Sequence, residues 1–148
     1  MADRDSLNRT SFLIIQAAIK IHRRLGPGLL ESVYRICLVH ELRISGQEVS
    51  TEQNVPIYYD DLRLDGGYRL DLIVNNAVIV EAKAVEKLLP VHCAQLLSYL
   101  RLTEKRLGLL INFNVPLLVQ GVKRIANNFL RSLRLRVPAM KAVKTVRV

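Results

Sequence analysis

The chain has 148 residues, half of them hydrophobic, which is enough for one domain with a real core and too apolar for a disordered chain. Tryptophan is absent and aromatics make up 5%, so stacking platforms for single-stranded nucleic acid are scarce, and a net charge of +9 favours polyanions as partners. The longest apolar run, at 107–113, is too short to span a bilayer, and the N-terminal MADRDSLNRT lacks signal-peptide architecture, which makes a cytoplasmic location the default expectation.

Residues 6–25 read as a helix capped by Ser6 or Ser11, with Leu13, Ala17, Ile21 and Ile14, Ala18, Leu25 at helical spacing. Gly26-Pro27-Gly28 breaks the chain. A second helix is expected over 29–44, with Leu30, Val33, Cys37 and Leu38 inward. Glu31 and Tyr34 share a face of it. An acid in a first helical turn is usually there for the helix dipole, and pattern alone favours that role for Glu31. Residues 49–59 read as a strand, with Pro56 marking an edge or a bulge. Asp60-Asp61 and Asp65-Gly66-Gly67 are turns.

Residues 68–83, YRLDLIVNNAVIVEAK, form the centre of the reading: two strands and a tight turn. Alternation puts Leu70, Leu72, Val74, Val78, Val80 and Ala82 on one apolar face, and Arg69, Asp71, Ile73, Ile79, Glu81 and Lys83 on the other. Asp71 lies opposite Glu81 only if the connection is Asn75-Asn76-Ala77, an odd-numbered loop or bulge with a residue near the left-handed region. Two adjacent carboxylates repel, and one lysine two residues along offsets only part of that. A divalent metal makes sense of the set, since hard cations bind through carboxylates, water and phosphate. A solvated face with a surface ion pair is the competing explanation.

Pro90 suits a first helical residue, and a helix is expected over 90–103 with Cys93, Leu96, Leu97 and Leu100 buried. His92, Gln95 and Tyr99 fall on a neighbouring face. A lone histidine such as His92 is more often a hydrogen-bonded surface residue than a ligand, and Gln95 and Tyr99 could equally be partly buried polar residues. Residues 105–113 read as a buried central strand, 117–123 as a short strand or loop, and 123–135 as a last helix. The order predicts an α/β or α+β sandwich, a mixed sheet flanked by helices. Cys37 and Cys93 are too few for an iron–sulfur cluster or structural zinc and read as buried thiols. The basic excess concentrates at the end: Arg131, Arg134, Arg136, Lys141, Lys144 and Arg147, with no acid from 129 to 148. Such a tail either attracts nucleic acid through counterion release or simply solubilises the chain end. One domain over 1–130 and a basic tail over 131–148 are expected.

These residues resemble a family of small bacterial proteins named for a GxxExxY signature, here Gly28-Leu-Leu-Glu31-Ser-Val-Tyr34. Tyr68-Arg-Leu-Asp71, Val80-Glu81-Ala-Lys83, the block from Leu89 to Leu100 and Gly108-Leu-Leu-Ile-Asn-Phe-Asn resemble its other blocks, over roughly residues 10–128. That family is placed in the PD-(D/E)XK, or restriction-endonuclease-like, superfamily. The resemblance implies a four-stranded mixed sheet flanked by helices and a magnesium- or manganese-dependent nuclease acting on DNA or RNA. It implies Asp71, Glu81 and Glu31 as metal-holding acids, with the backbone carbonyl of Ala82, and Lys83 as the catalytic lysine. Gln95 and Tyr99, with Tyr34 and His92 nearby in the motifs, are implied to position substrate. Leu70 stands where the superfamily's proline would be, and the basic extension is not part of the family pattern. The superfamily also contains members that bind nucleic acid or protein without cutting, and a homodimer is a state that such small folds often adopt.

Overall fold

A computed structural model describes residues 3–128 and 144–148. Helix α1 spans Arg4–Leu25 and is capped by Asp3, whose carboxylate accepts from the Ser6 N–H at 2.7 Å, so the start lies a turn earlier than Ser6 or Ser11 would set it. Its buried stripe is Leu7, Ile14, Ala18 and Ile21, extended by Thr10, Ser11 and His22. Leu25 is exposed. Helix α2, Glu31–Ile44, begins two residues later than expected and buries Tyr34, Leu38 and Leu42 at four-residue spacing. Leu30 is left exposed, while Val33 and Cys37 are half-buried.

The main sheet has five strands, in the order β1 (Val49–Asn54), β4 (Arg69–Val74), β5 (Val78–Lys83), β6 (Leu107–Asn112) and β7 (Val122–Ala126). Only β5 and β6 pair in parallel, joined through helix α3, Pro90–Thr103. Strands β5 and β6 are buried on both faces, as their apolar runs require. Helices α1 and α2 cover one face, where Ile14, Ala18, Leu38 and Leu42 meet Val74, Val78, Val80, Leu109 and Ile111. Helix α3 covers the other, where Leu96, Tyr99 and Leu100 meet Ile73, Ile79 and Leu110. Cys93 and Leu97 are half-buried there, and Cys37 and Cys93 are both unpaired thiols.

Two expectations are corrected, and one further strand lies within the expected tail. The stretch 49–59 is not one strand: it breaks at Val55-Pro56, and β2 (Ile57–Tyr59) turns back onto β3 (Leu62–Asp65). Residues 123–126 are not helical. They continue β7, which pairs antiparallel along the open edge of β6 and is the fifth strand. A short 3₁₀ turn, Leu118–Gly121, leads into it, and a Cβ at Gly121 would sit 2.1 Å from the Asn112 carbonyl oxygen, so that approach needs glycine. The rest of the expected last helix lies outside the described residues. Finally, Lys144–Arg147 form β8, parallel to β3 in a second sheet of order β2-β3-β8. No helix among the described residues is long and apolar enough to cross a membrane.

Candidate active site

The hairpin turns through the three-residue connection that the register demanded. Asn75 and Asn76 are both left-handed, at φ 54° and 51°, and the Ala77 N–H donates to the Val74 carbonyl at 3.1 Å. Val74 then pairs with Val78, Ile73 with Ile79 and Leu72 with Val80. Beyond Leu72 the backbone ladder between β4 and β5 stops, although each strand keeps its outer partner. The strands fork there, and Asp71 and Glu81 stand on the two prongs.

Each acid reaches across to the other prong's backbone. The Ala82 N–H donates to Asp71 Oδ2 at 3.1 Å, and the Asp71 N–H makes a longer contact of 3.5 Å to Glu81 Oε1. The carboxylates thus replace missing rungs of the ladder. The Lys83 carbonyl accepts from Phe113 on the far side, so alternation turns the Ala82 carbonyl toward the fork, beside Asp71.

The pleat of β4 is irregular at the fork, with no extra residue in either strand. Val74's carbonyl faces β5, yet Tyr68's carbonyl, six residues earlier, faces β1 and accepts from the Val55 N–H at 2.9 Å. Regular alternation would send both the same way. The pleat therefore slips near Asp71, and Glu52, alongside it in β1, takes a left-handed φ of 53°. Leu70 consequently packs on the α3 side of the sheet, against the expectation that it shares a face with Leu72 and Val74.

Glu81 is only 8% exposed. Burial, reinforced by the charge of Asp71, pushes its carboxyl up to about 8. Lys83 opposes that shift through its charge, without a close ion pair to either acid. Burial and the neighbouring charge thus favour the neutral form of the Glu81 carboxyl. Tyr99, from α3, is buried beside the pair. Burial and then the Glu81 charge raise its phenol above the usual range, while a hydrogen bond from the Gln95 side chain works the other way. Asp71, Glu81, Lys83, Gln95 and Tyr99 therefore gather around one fork.

Other expected residues fall elsewhere. Glu31 is half-buried at the start of α2, and no three His, Cys, Asp or Glu side chains among the described residues form a group able to hold a metal. Tyr34 is fully buried and cannot touch substrate. Its hydroxyl donates to the Gly26 carbonyl at 2.6 Å and accepts from the Leu29 N–H at 3.1 Å, and its ring stacks on Phe113 at 4.5 Å. Tyr34 pins the Gly-Pro-Gly turn. His92 caps α3, its Nδ1 accepting from the Leu89 N–H at 2.9 Å. Of the basic tail, Lys144 and Arg147 belong to β8, and Arg131, Arg134, Arg136 and Lys141 lie outside the described residues.

Sequence reasoning missed Asn112. It is buried, pairs in register with Lys83, and its amide holds the following loop. Oδ1 accepts from the Val85 and Asn114 N–H groups at 3.1 and 3.2 Å, and Nδ2 donates to the Val85 carbonyl at 2.9 Å. A polar amide ending an apolar central strand was the available signal. His22, buried with Nε2 2.8 Å from the Val115 carbonyl oxygen, gave no such signal.

The donor set tests well for a hard divalent ion. Two carboxylates and a carbonyl converge, and burial together with the Asp71 charge disfavours the ionised form of Glu81, a penalty that a cation would relieve. Neither a curated protein nor a solved structure matches the chain. A family model does match, over residues 8–125, and by that match the chain belongs to the PD-(D/E)XK nuclease superfamily.

Proposed function

We propose that the protein is a magnesium- or manganese-dependent nuclease that hydrolyses phosphodiester bonds of DNA, with RNA as the second candidate. The observation that carries this is the fork: two acids from neighbouring strands, one retaining a proton to about pH 8, with Lys83 two residues along. Asp71, Glu81 and the Ala82 carbonyl would hold the ion, and Glu31 would contribute through intervening water. When bound, the ion supplies Lewis-acid stabilisation and a more acidic water. Glu81 would serve as the second anionic ligand, its proton passing to solvent. Lys83, kept in register by Asn112, donates toward the charge that develops on the phosphate oxygens. Gln95 and Tyr99 orient that phosphate or the lysine. The basic tail adds sequence-independent affinity.

Purified protein incubated with linear, supercoiled and single-stranded DNA plus manganese tests this directly. Lys83→Ala is expected to slow cleavage by about 10²–10³, the scale of losing one preorganised donor. Equal cleavage by wild type and Lys83→Ala would refute the proposal. Nucleic-acid binding without any cleavage would instead favour a silent member of the fold.

A further inference from the structure

Beside the fork lies a groove of about 620 Å³, within the size range of small-ligand sites. Ile57, Tyr68 and Val91 give it an apolar wall, and Gln95, Tyr99 and Arg101 come from α3. Tyr99 links it to the acid pair, because it lines the groove and also feels the charges of Glu81 and Asp71. Tyr68 stands edge-on to Tyr99, with ring centroids 5.9 Å apart, and remains 41% exposed. Arg101 carries a shielded Nε with no hydrogen-bond partner among the described residues.

We propose that this groove receives an unpaired nucleobase of the substrate, flanking the phosphate at the acid pair. The base lies against Tyr68 and Val91, in a groove that Arg101 also lines. This rests on reading the acid pair as a phosphodiester site and deepens it to a substrate class: single-stranded or frayed ends. Bases stacked and paired in a blunt duplex reach the groove only after an unstacking penalty. Aromatic residues are few in this chain, yet two of its five tyrosines edge this one groove.

The test is fluorescence anisotropy with the full chain in EDTA, which stops cleavage. The probes are a labelled oligothymidine, an abasic oligomer of equal length and a blunt duplex. Wild type is expected to prefer oligothymidine to both other probes. Tyr68→Ala should bind oligothymidine about tenfold more weakly, the scale of one lost base–aromatic stack, with little change for the abasic oligomer. Tyr68→Phe should stay close to wild type. Val91→Glu, at a position 63% exposed and so tolerant of change, should weaken the same binding through that apolar wall. The proposal is overturned if the abasic oligomer binds as tightly as oligothymidine, or if Tyr68→Ala and Val91→Glu both bind like wild type. Its failure is distinguishable from failure of the nuclease reading. Tyr68-dependent binding without cleavage under any metal sinks only the latter, and cleavage with Tyr68-independent binding sinks only the groove.

Discussion

Replacing Glu81 by glutamine should make the metal-free protein more stable at alkaline pH and leave it unchanged in acid. An ordinary glutamate ionises near 4.5, whereas Glu81 keeps its proton to about 8 in the folded chain. The folded state therefore favours the neutral acid. Its contribution is fully present below the ordinary value, drains away as pH rises toward 8 and changes no further above that. The separation sets a ceiling of about 5 kcal/mol, and because Asp71 on the other prong is half-buried, solvent screening brings the expected loss to about 2–4 kcal/mol. The substituted glutamine cannot ionise, yet its amide oxygen can still accept from the Asp71 N–H. Urea unfolding in EDTA at pH 5, 6.5 and 8.5 is the assay. At pH 5 the two midpoints should nearly coincide, and at pH 8.5 the variant's should be higher by about 1–2 M for an m value near 2 kcal/mol/M. Histidines and other groups titrate in both proteins and cancel in the comparison. Parallel loss of stability with pH in wild type and Glu81→Gln would refute the account of a proton trapped by burial and Asp71.

Further outcomes rest on the same geometry. Manganese titrated calorimetrically at pH 6.5–7.5, in buffers of different ionisation enthalpy, should displace close to one proton per ion. The release should vanish above pH 9 and in Glu81→Gln, and proton-independent binding across that range would contradict the assignment. Tyr34→Phe leaves the Gly26 carbonyl and Leu29 N–H unsatisfied and should lower stability by about 1–3 kcal/mol in the same urea assay. Gly121→Ala forces a Cβ against the Asn112 carbonyl and should cost at least about 2 kcal/mol, read as a lowered unfolding midpoint.

The parts of this structure legible in the sequence are those decided by neighbours along the chain. The limits of α3, residues 90–103, come from Pro90 and the helical run behind it. The odd-numbered turn comes from the alternation of two short strands and a pair of asparagines tolerant of positive φ. The parts that were not legible depend on partners far away in sequence. Residues 123–126 share helical spacing with the residues just after them, but the open edge of β6 decides their conformation. The slip beside Asp71 involves Glu52, a residue whose own neighbours do not predict a left-handed φ. The acid pair could be foreseen from register alone. The proton held by Glu81 could not, because it depends on how fully α3 closes over the site.

The side-chain rungs at the fork make one amide a natural reporter. The Ala82 N–H is tied to the molecule by the Asp71 carboxylate, while Val78 to Val80, earlier in β5, pair with strands on both sides. An ion that drew Asp71 off would release this proton to solvent, so deuterium uptake at Ala82 should quicken on loading while Val80 stays slow. A single amide would thus register the loaded fraction without any substrate present.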